Sequence, residues 1–436
     1  MQYLSQIVFT LILIGGIGYF TSNVKKLFRN IKLGKDLNVS DNKPQRWKNM
    51  AKIALGQTKM VVRPIAGFLH VIVYVGFIII NIEVLEIVID GVFGTHRIGL
   101  QVLNASIYGF LIGTFEVLAV LVLISVIVFW IRRNVIKIKR FLSAEMTGWP
   151  KSDGNIILYF EVVLMCLFLV MNATDTTFQN LGSGNVVSQF IAPLFNGMSE
   201  GNLHMIERTA WWIHIIGILT FLNYLYFSKH LHILLAFPNT YYGKLTPKGQ
   251  FLNNEAVTKE VKLMMDPSAD PFAAPAEDAP VPEKFGASDV ADLSWVQLLN
   301  AYTCTECGRC TSECPANITG KKLSPRKIMM DTRDRLVEVG KNIDANKGIF
   351  IPDGKQLLGD YITNEELWAC TSCNACVQAC PVSIDPLSII MDMRQYLVME
   401  QSAAPSDLNN MMGNIENNGA PWPFNQQDRL NWAKES

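Results

Sequence analysis

Two cysteine runs constrain this chain more than any other feature. The first reads Cys304-x-x-Cys307-x-x-Cys310-x-x-x-Cys314-Pro315, and the second repeats it as Cys370-x-x-Cys373-x-x-Cys376-x-x-x-Cys380-Pro381. Together they hold eight of the nine cysteines. Four thiolates at this spacing, closed by Cys-Pro, are the pattern that wraps a [4Fe–4S] cluster, so two runs imply two clusters. A disulfide framework would pair cysteines in a small secreted fold, whereas these lie in short repeats within a long chain. Zinc sites rarely pack four cysteines into one short run, and here that happens twice.

The rest of the chain is strongly asymmetric. Half of its 436 residues are hydrophobic and only 17% are charged, yet the long apolar runs nearly all fall before residue 237. Five segments are long enough to cross a bilayer, at about 20 residues per crossing: Tyr3 to Val24, Ile65 to Ile89, Ile107 to Ile131, Ile156 to Ala173 and Ala210 to Phe227. The first is too long for a secretory signal and lacks a small-residue cleavage site after its apolar run, so it counts as a span. Lys25 to Arg63 carries eleven Lys or Arg and Arg132 to Gly154 carries six, whereas Asp90 to Ser106 and Asn172 to Arg208 carry one each. Basic loops stay inside. The N-terminus is therefore expected outside and the cysteine region in the cytoplasm, the reducing side that thiolate-ligated clusters need. A net formal charge of zero gives no reason to expect nucleic acid as a partner.

These patterns predict a transmembrane domain over 1–240, a cytoplasmic linker over 241–290, a two-cluster domain over 291–400 and a polar tail over 401–436. The linker is centred on Asp266 to Pro282, a stretch rich in Pro, Ala and Asp. Arg46 to Val62 mixes basic and apolar residues at helical spacing and suits either the membrane surface or a solvated connection. The outer loop Thr174 to Arg208 is long enough to need a short helix or lid of its own. The Asn/Gln-rich tail reads as disordered.

In two-cluster ferredoxins the fourth cysteine of each run crosses to the other cluster. Applied here, Cys304, Cys307, Cys310 and Cys380 hold one cluster, and Cys370, Cys373, Cys376 and Cys314 the other. Ser324-Pro325 opens a helix running to about Glu338, with an N-cap serine followed by an N1 proline, and a second helix runs from Pro386 to about Met399. Helices with few strand-like runs predict an α-helical ferredoxin domain. Cys-Thr-Glu-Cys-Gly-Arg-Cys-x-x-x-Cys-Pro, then Leu-x-Pro and Glu-Leu-Trp-x-Cys-Thr-x-Cys-x-x-Cys, resembles the ferredoxin domain of membrane-associated heterodisulfide reductases. It is equally similar to that of the iron–sulfur subunits of glycolate, lactate and anaerobic glycerol-3-phosphate oxidation. The resemblance covers residues 293–399. Members of that group that reduce disulfides carry Cys-Cys-Gly domains, and no Cys-Cys pair occurs here. The resemblance therefore implies a cytoplasmic redox partner, a Cys-Cys-Gly-domain or flavin protein, that holds the substrate site.

All six histidines precede residue 237. His70 lies near the inner end of the second span. His214 and His232 are eighteen residues apart, five whole helical turns, so they are expected to share one face about 27 Å apart along the axis, with His230 pointing away from His232. Imidazole is the usual axial ligand of a b-type haem. Leu69-His70 on the second span, with Trp211-x-x-His214 followed by Phe-Ser-Lys229-x-x-His232-Ile-x-x-x-x-Pro238 on the fifth, is similar to the cytochrome b subunit of respiratory nitrate reductase and its relatives. That resemblance implies an inner haem b between His70 and His232. The family's outer haem needs a second histidine ten residues beyond His70, where this chain has Ile80. A second haem on His214 would then require His96 or His204 as its other ligand.

Glu83 and Glu116 lie within spans, where an acid is costly and marks function by default. Both fall about 9–14 Å below the outer boundary, as does His214, and form a candidate site for quinol and its protons. Paired helix-packing residues are the alternative. Cys166 reads as core. The fold expected is all-α: a five-helix transmembrane cytochrome b bundle followed by a soluble α-helical ferredoxin domain, in the cytoplasmic membrane of a bacterium. Three roles remain open. One is an oxidoreductase subunit passing electrons between menaquinone and a cytoplasmic partner, in either direction. The second is a general electron relay, and the third a membrane redox sensor.

Overall fold

The computed structural model describes residues 3–434 except 248, 252 and 269–283. Most of the segment Asp266 to Pro282, predicted to be a linker, lies outside the described residues. Helices account for all the regular secondary structure among the described residues, with only two isolated backbone bridges beside them.

In chain order the first half contains α1 (Leu4–Ile31), α2 (Lys43–Met50), α3 (Pro64–Phe93), α4 (Ile98–Val102), α5 (Ala105–Asn134) and α6 (Trp149–Thr174). It continues with α7 (Thr176–Asn180), α8 (Ser188–Ile191), α9 (Glu200–Tyr224) and α10 (His232–Tyr241). Five of these helices are long and apolar enough to cross a membrane: α1, α3, α5, α6 and α9, the last extended to Phe227. Their ends follow from local chemistry. Pro64 supplies a fixed φ at the start of α3, and Gly94, at φ +72°, ends it in the left-handed region that a side chain disfavours. Asn104 caps α5 by accepting from the Ile107 N–H at 2.8 Å. Asp175 ends α6 and caps α7 by accepting from the Phe178 N–H at 3.0 Å.

The fifth crossing corrects a sequence expectation. The helix starts ten residues earlier than predicted and stops at Tyr224, so His214 and His232 stand on separate helices. Ser228 is extended at φ −116° and ψ 148°, and its hydroxyl accepts from the His230 N–H at 3.1 Å. Asp153 holds the break from α6, accepting from Tyr224 Oη at 2.6 Å and from the Lys229 N–H at 3.1 Å. Counting one helical phase from His214 to His232 passes over a break made by one serine and one distant carboxylate.

The bundle is formed by α3, α5, α6 and α9, with α1 packed on α3 and α9 and largely exposed along its length. Its outer core is built on Phe9, Tyr108, Ile112, Phe115, Phe168 and Ile215. The outer loop forms α7, α8 and a 3-10 turn over Ala192–Phe195, matching the need for local structure there.

The second half contains α11 (Glu255–Met265), α12 (Trp295–Thr303), α13 (Arg309–Ser312), α14 (Pro315–Ile318) and α15 (Pro325–Ala345). It ends with α16 (Leu357–Asp360), α17 (Asn364–Trp368), α18 (Ala375–Ala379), α19 (Pro386–Met399) and α20 (Ser406–Asn418). The tail read as disordered instead forms α20 and a 3-10 segment, Gln426–Ala433, both without buried residues. A single apolar core joins the two halves. Leu27, Leu225, Leu231 and Leu235 from the end of the bundle nearest the cysteine runs pack with Leu293, Leu298, Ile328 and Ile389. At about 1.5–3 kcal/mol per buried aliphatic side chain, such a core outweighs the surface ion pairs around it. Ala287 and Val290, inside the stretch read as linker, are fully buried in that core.

Candidate functional site

The first cysteine run leaves α12 at Cys304 and enters α13 just before Cys310. Between them the backbone takes φ +54° at Glu306 and φ +70° at Gly308. The second run repeats this turn at the same offsets, with φ +56° at Ser372 and φ +59° at Asn374. Two left-handed residues curl each loop so that three successive sulfurs face one centre, and a non-glycine residue held there marks a functional constraint. Cys304, Cys307, Cys310 and Cys380 line one cavity, with Arg326, Met329 and Val382 in its wall. Cys314 lies in the electrostatic neighbourhood of Cys370 and Cys376, and Cys370 in that of Cys373. The geometry therefore brings the fourth cysteine of each run to the other run's loop. Backbone N–H groups point at sulfur, among them Ile384 at Cys380 Sγ (3.2 Å) and Ser372 at Cys370 Sγ (3.4 Å).

The two groups differ in surroundings. The first is pressed against the membrane half. Arg309, within the run, donates to the carbonyls of Lys59 (2.9 Å) and Met60 (3.2 Å). Arg63 donates to Ser312 Oγ at 2.9 Å and Glu313 Oε1 at 3.0 Å. Arg326 is fully buried and donates to the Arg140 carbonyl and to Glu145 Oε1, both at 2.7 Å. The second group opens outward, with Cys373 exposed.

His70, His230 and His232 gather beside the first group. His70 has both His232 and Arg309 as electrostatic neighbours. The rings of His230 and His232 meet edge to face with centroids 5.4 Å apart. The expectation that His230 points away is thus corrected, because the helix break turns it back toward His232. His232 Nδ1 lies 3.1 Å from the Lys229 carbonyl. A carbonyl only accepts, so Nδ1 carries the proton and the Nε2 lone pair is left for a ligand. Burial holds His232 below the ordinary imidazole range, and burial with its two histidine neighbours pushes His230 down to about 3. Neutral imidazole is the form that binds metal. His70 Nδ1 is buried with no hydrogen-bond partner among the described residues, the kind of orphaned atom a prosthetic group would satisfy. These features fit a haem between His70 and His232.

The other sequence-predicted residues separate. His214 Nδ1 is also buried without a partner, and its ring stands 6.3 Å from that of Phe168. Ile80 is buried where the resembled family has histidine. His96 Nε2 sits 3.2 Å from Asp175 Oδ2, and His204 Nδ1 4.0 Å from Glu207, so each already faces a carboxylate. His96, Asp175 and Glu207 bring ligand atoms within 4.8 Å of one another, but Arg97 and Arg208 neutralise the two acids. Glu116 is fully satisfied. It accepts from Asn172 Nδ2 (3.1 Å) and from the N–H groups of Val187 (2.7 Å) and Ser188 (3.0 Å) at the start of α8. Glu83 Oε2, by contrast, is buried and has no hydrogen-bond partner among the described residues.

Several residues escaped the sequence reading. Arg97 donates to Asp175 Oδ2 (2.6 Å), Asn172 Oδ1 (2.9 Å) and Tyr108 Oη (3.2 Å), knitting the outer ends of α5 and α6 to the α3–α4 turn. Glu161, near the middle of α6, is buried and finds no hydrogen-bond donor among the described residues. Its signal, an acid inside an apolar run, was the same as that of Glu83. Glu306, between the first two cysteines, is 3% exposed and ion-paired to Lys229 and to Arg333, the latter at 2.6 Å. Burial raises its carboxyl, and the two cations outweigh that and hold it below the usual range.

A family model described as a 4Fe-4S dicluster domain matches residues 303–384. The chain is 28% identical to the probable iron-sulfur-binding oxidoreductase FadF of Bacillus subtilis (strain 168), over 99% of this chain and 61% of that protein. It is 26% identical to the EtfAB:quinone oxidoreductase of Syntrophomonas wolfei, over 92% of this chain and 55% of that one. The chain therefore spans little more than half the length of these curated relatives. A probable membrane-anchored ferredoxin of Chromohalobacter salexigens is 33% identical over 36% of this chain and 25% of its own. No solved structure matches. The relatives are named as oxidoreductases and iron–sulfur proteins, and the dicluster match supports two [4Fe–4S] clusters.

Proposed function

We propose that this chain carries electrons between the menaquinone pool and a cytoplasmic redox partner, as the membrane subunit of a respiratory oxidoreductase. The observation that carries this reading is the spatial order of the redox-competent groups. His70 and His232 lie at the inner end of the bundle, the Cys304 group is pressed against them through Arg309, and the Cys370 group opens to solvent at Cys373. Cys304, Cys307, Cys310 and Cys380 hold the membrane-side cluster, and Cys370, Cys373, Cys376 and Cys314 the outlet cluster. When bound, haem b and the clusters supply one-electron steps. The chain's own residues fix their positions: the Lys229 carbonyl orients the His232 ring, and the left-handed turns at Glu306 and Gly308 shape the first cysteine loop.

The name of one relative, EtfAB:quinone oxidoreductase, supports quinone at the membrane end. Other relatives, matched over 35% and 24% of this chain, are heterodisulfide reductase subunits, in keeping with a partner that carries Cys-Cys-Gly domains or a flavin. The first cysteine group packs on the two loops richest in Lys and Arg. That arrangement supports a cytoplasmic ferredoxin domain and an outer N-terminus in a bacterial inner membrane.

The test is an optical and EPR count on the full chain purified in detergent. It should show haem b and two [4Fe–4S] centres, with haem reduced by a menaquinol analogue. His70→Ala and His232→Ala should each abolish the haem signal and leave both cluster signals. Haem that survives both changes would sink the ligand assignment. Cys380→Ser should perturb the cluster shared with the first run, and Cys314→Ser the other.

A further inference from the structure

Lys229 is tied at all three of its polar groups. Its N–H donates to Asp153 Oδ2 at 3.1 Å, its carbonyl accepts from His232 Nδ1 at 3.1 Å, and its ammonium pairs with the Glu306 carboxylate. The same ammonium donates to the Pro150 carbonyl at 2.6 Å and lies 3.7 Å from Asp153. The Lys229, Glu306 and Asp153 side chains are 9%, 2% and 2% exposed, so this is a desolvated network. Glu306 is the residue whose positive φ shapes the first cysteine loop, and Arg333 on α15 grips its other oxygen at 2.6 Å. Thus one residue joins the ring orientation of His232 to the loop that carries Cys304 and Cys307.

Buried ion pairs are poor stabilisers compared with apolar packing, and the best-attested reason to keep one is that it fixes a register. Here the register lies between the helix corner at residues 228–232 and the first cysteine loop. We infer that Lys229 is a positioning residue, with Glu306 as its counterpart, that sets the distance and orientation between the His232 ring and the membrane-side cysteine group. The inference rests on the reading of His232 as a haem ligand and of the Cys304 group as a cluster site. With haem and cluster bound, His232 and the Cys304 group would hold two centres between which a single electron could pass in either direction, and Lys229 and Glu306 would set the spacing of those holders. Tunnelling falls steeply with distance, so a loop released by even a fraction of its present hold slows transfer.

The test uses the full chain in detergent with Lys229→Met, Glu306→Gln, the double variant and the conservative Lys229→Arg. Three readouts apply: hydrogen–deuterium exchange over residues 228–232, the haem EPR signature, and stopped-flow reduction of the clusters after haem reduction. Glu306→Gln should raise exchange at 228–232, across the interface from the substitution. Lys229→Met should shift the haem signal. Each single variant should slow haem-to-cluster transfer on the order of tenfold or more. The double variant should be no slower than the slower single one, as expected for two members of one unit. Lys229→Arg should recover most of the rate. Unchanged exchange in Glu306→Gln, losses that multiply in the double variant, or wild-type transfer rates in either single variant would each overturn the inference. Should Lys229→Met fail to fold, Glu306→Gln and Lys229→Arg decide by the same criteria. A wild-type chain without haem fails the ligand reading instead, and the exchange result still decides whether the corner and the loop are coupled.

Discussion

Arg97 and Asp175 form a buried pair at the outer rim, 7% and 4% exposed. Removing one member of such a pair strands the other charge, typically at a cost of about 3–5 kcal/mol. Asp175→Asn should therefore lower the melting temperature in detergent at pH 7. Burial raises the Asp175 carboxyl, but the His96 hydrogen bond and the Arg97 charge more than reverse this and hold it far below the ordinary range. A depressed acid contributes stability above its unfolded value near ~3.9, and loses it as pH falls through the folded one. The difference between wild type and Asp175→Asn should thus persist from neutral pH down to about pH 4 and narrow only below that. A difference that vanished already near neutral pH would contradict the pairing. Glu161 makes the opposite case, since a carboxyl without a donor in an apolar helix weakens the fold it sits in. Glu161→Leu should raise the melting temperature, and if the acid serves proton movement at the quinone it should also lower quinol-linked turnover. Full turnover with raised stability would mark it as a tolerated burial. Sequence singled out neither Arg97 nor Asp175, because their partnership spans 78 positions and depends on how α6 ends.

At the level of elements, α1 does two jobs. Its outer part lies along the bundle, while its inner end runs past the apolar stretch and docks on the C-terminal region. Arg29 donates to the Gly340 carbonyl at 3.0 Å, and Asn30 to Tyr302 Oη at 2.9 Å. Just beyond, the Lys35 N–H donates to the Leu293 carbonyl at 2.7 Å and the Trp295 N–H to the Lys35 carbonyl at 3.1 Å. Gly34 permits this approach, since a Cβ there would meet Leu293 O and Trp295 N at 2.7 Å. Gly34→Ala should cost about 1–3 kcal/mol by forcing the backbones apart. The readout is faster amide exchange at Lys35 and Trp295; unchanged exchange would place the contact elsewhere. The spans, the two cysteine loops and the helices that open at Ser324-Pro325 and Asp385-Pro386 were legible in the sequence, because each rests on local periodicity, a cap or a fixed spacing. The break between α9 and α10 was not, because one helical phase was carried from His214 through the polar Ser228-Lys229-His230 to His232, and the interruption depends on Asp153 from another helix. The N-terminal span was read as ending at Val24 for a related reason. Polar residues after it signalled the end of the lipid-facing run, and the helix itself continues to Ile31 to meet α12 and α15.

On the scale of the whole molecule, the two halves are welded. The shared core draws Leu27, Ile31, Leu225 and Leu231 from the membrane side into contact with the ferredoxin-like helices. Around it stand Arg63 with Glu313, Arg326 with Glu145, and Lys229 with Glu306. A ferredoxin hung on a linker would sample many distances from the bundle, whereas this arrangement holds one. The basic loops from which the orientation was predicted therefore have a second use, since their carbonyls and side chains grip the first cysteine group. A cut in the connecting chain tests this directly. With a protease site inserted between residues 268 and 284, cleavage should leave the C-terminal fragment in the membrane pellet. It should remain there at 1 M salt, where the Debye length falls to about 3 Å and exposed ion pairs are screened, because the apolar core is not weakened by salt. Release of the fragment at moderate salt would show that exposed charges alone hold the halves together. Release without added salt would show that the covalent connection does. The same core predicts that residues 284–434 produced alone would expose the apolar face that Leu27, Leu225 and Leu231 now cover, and would aggregate.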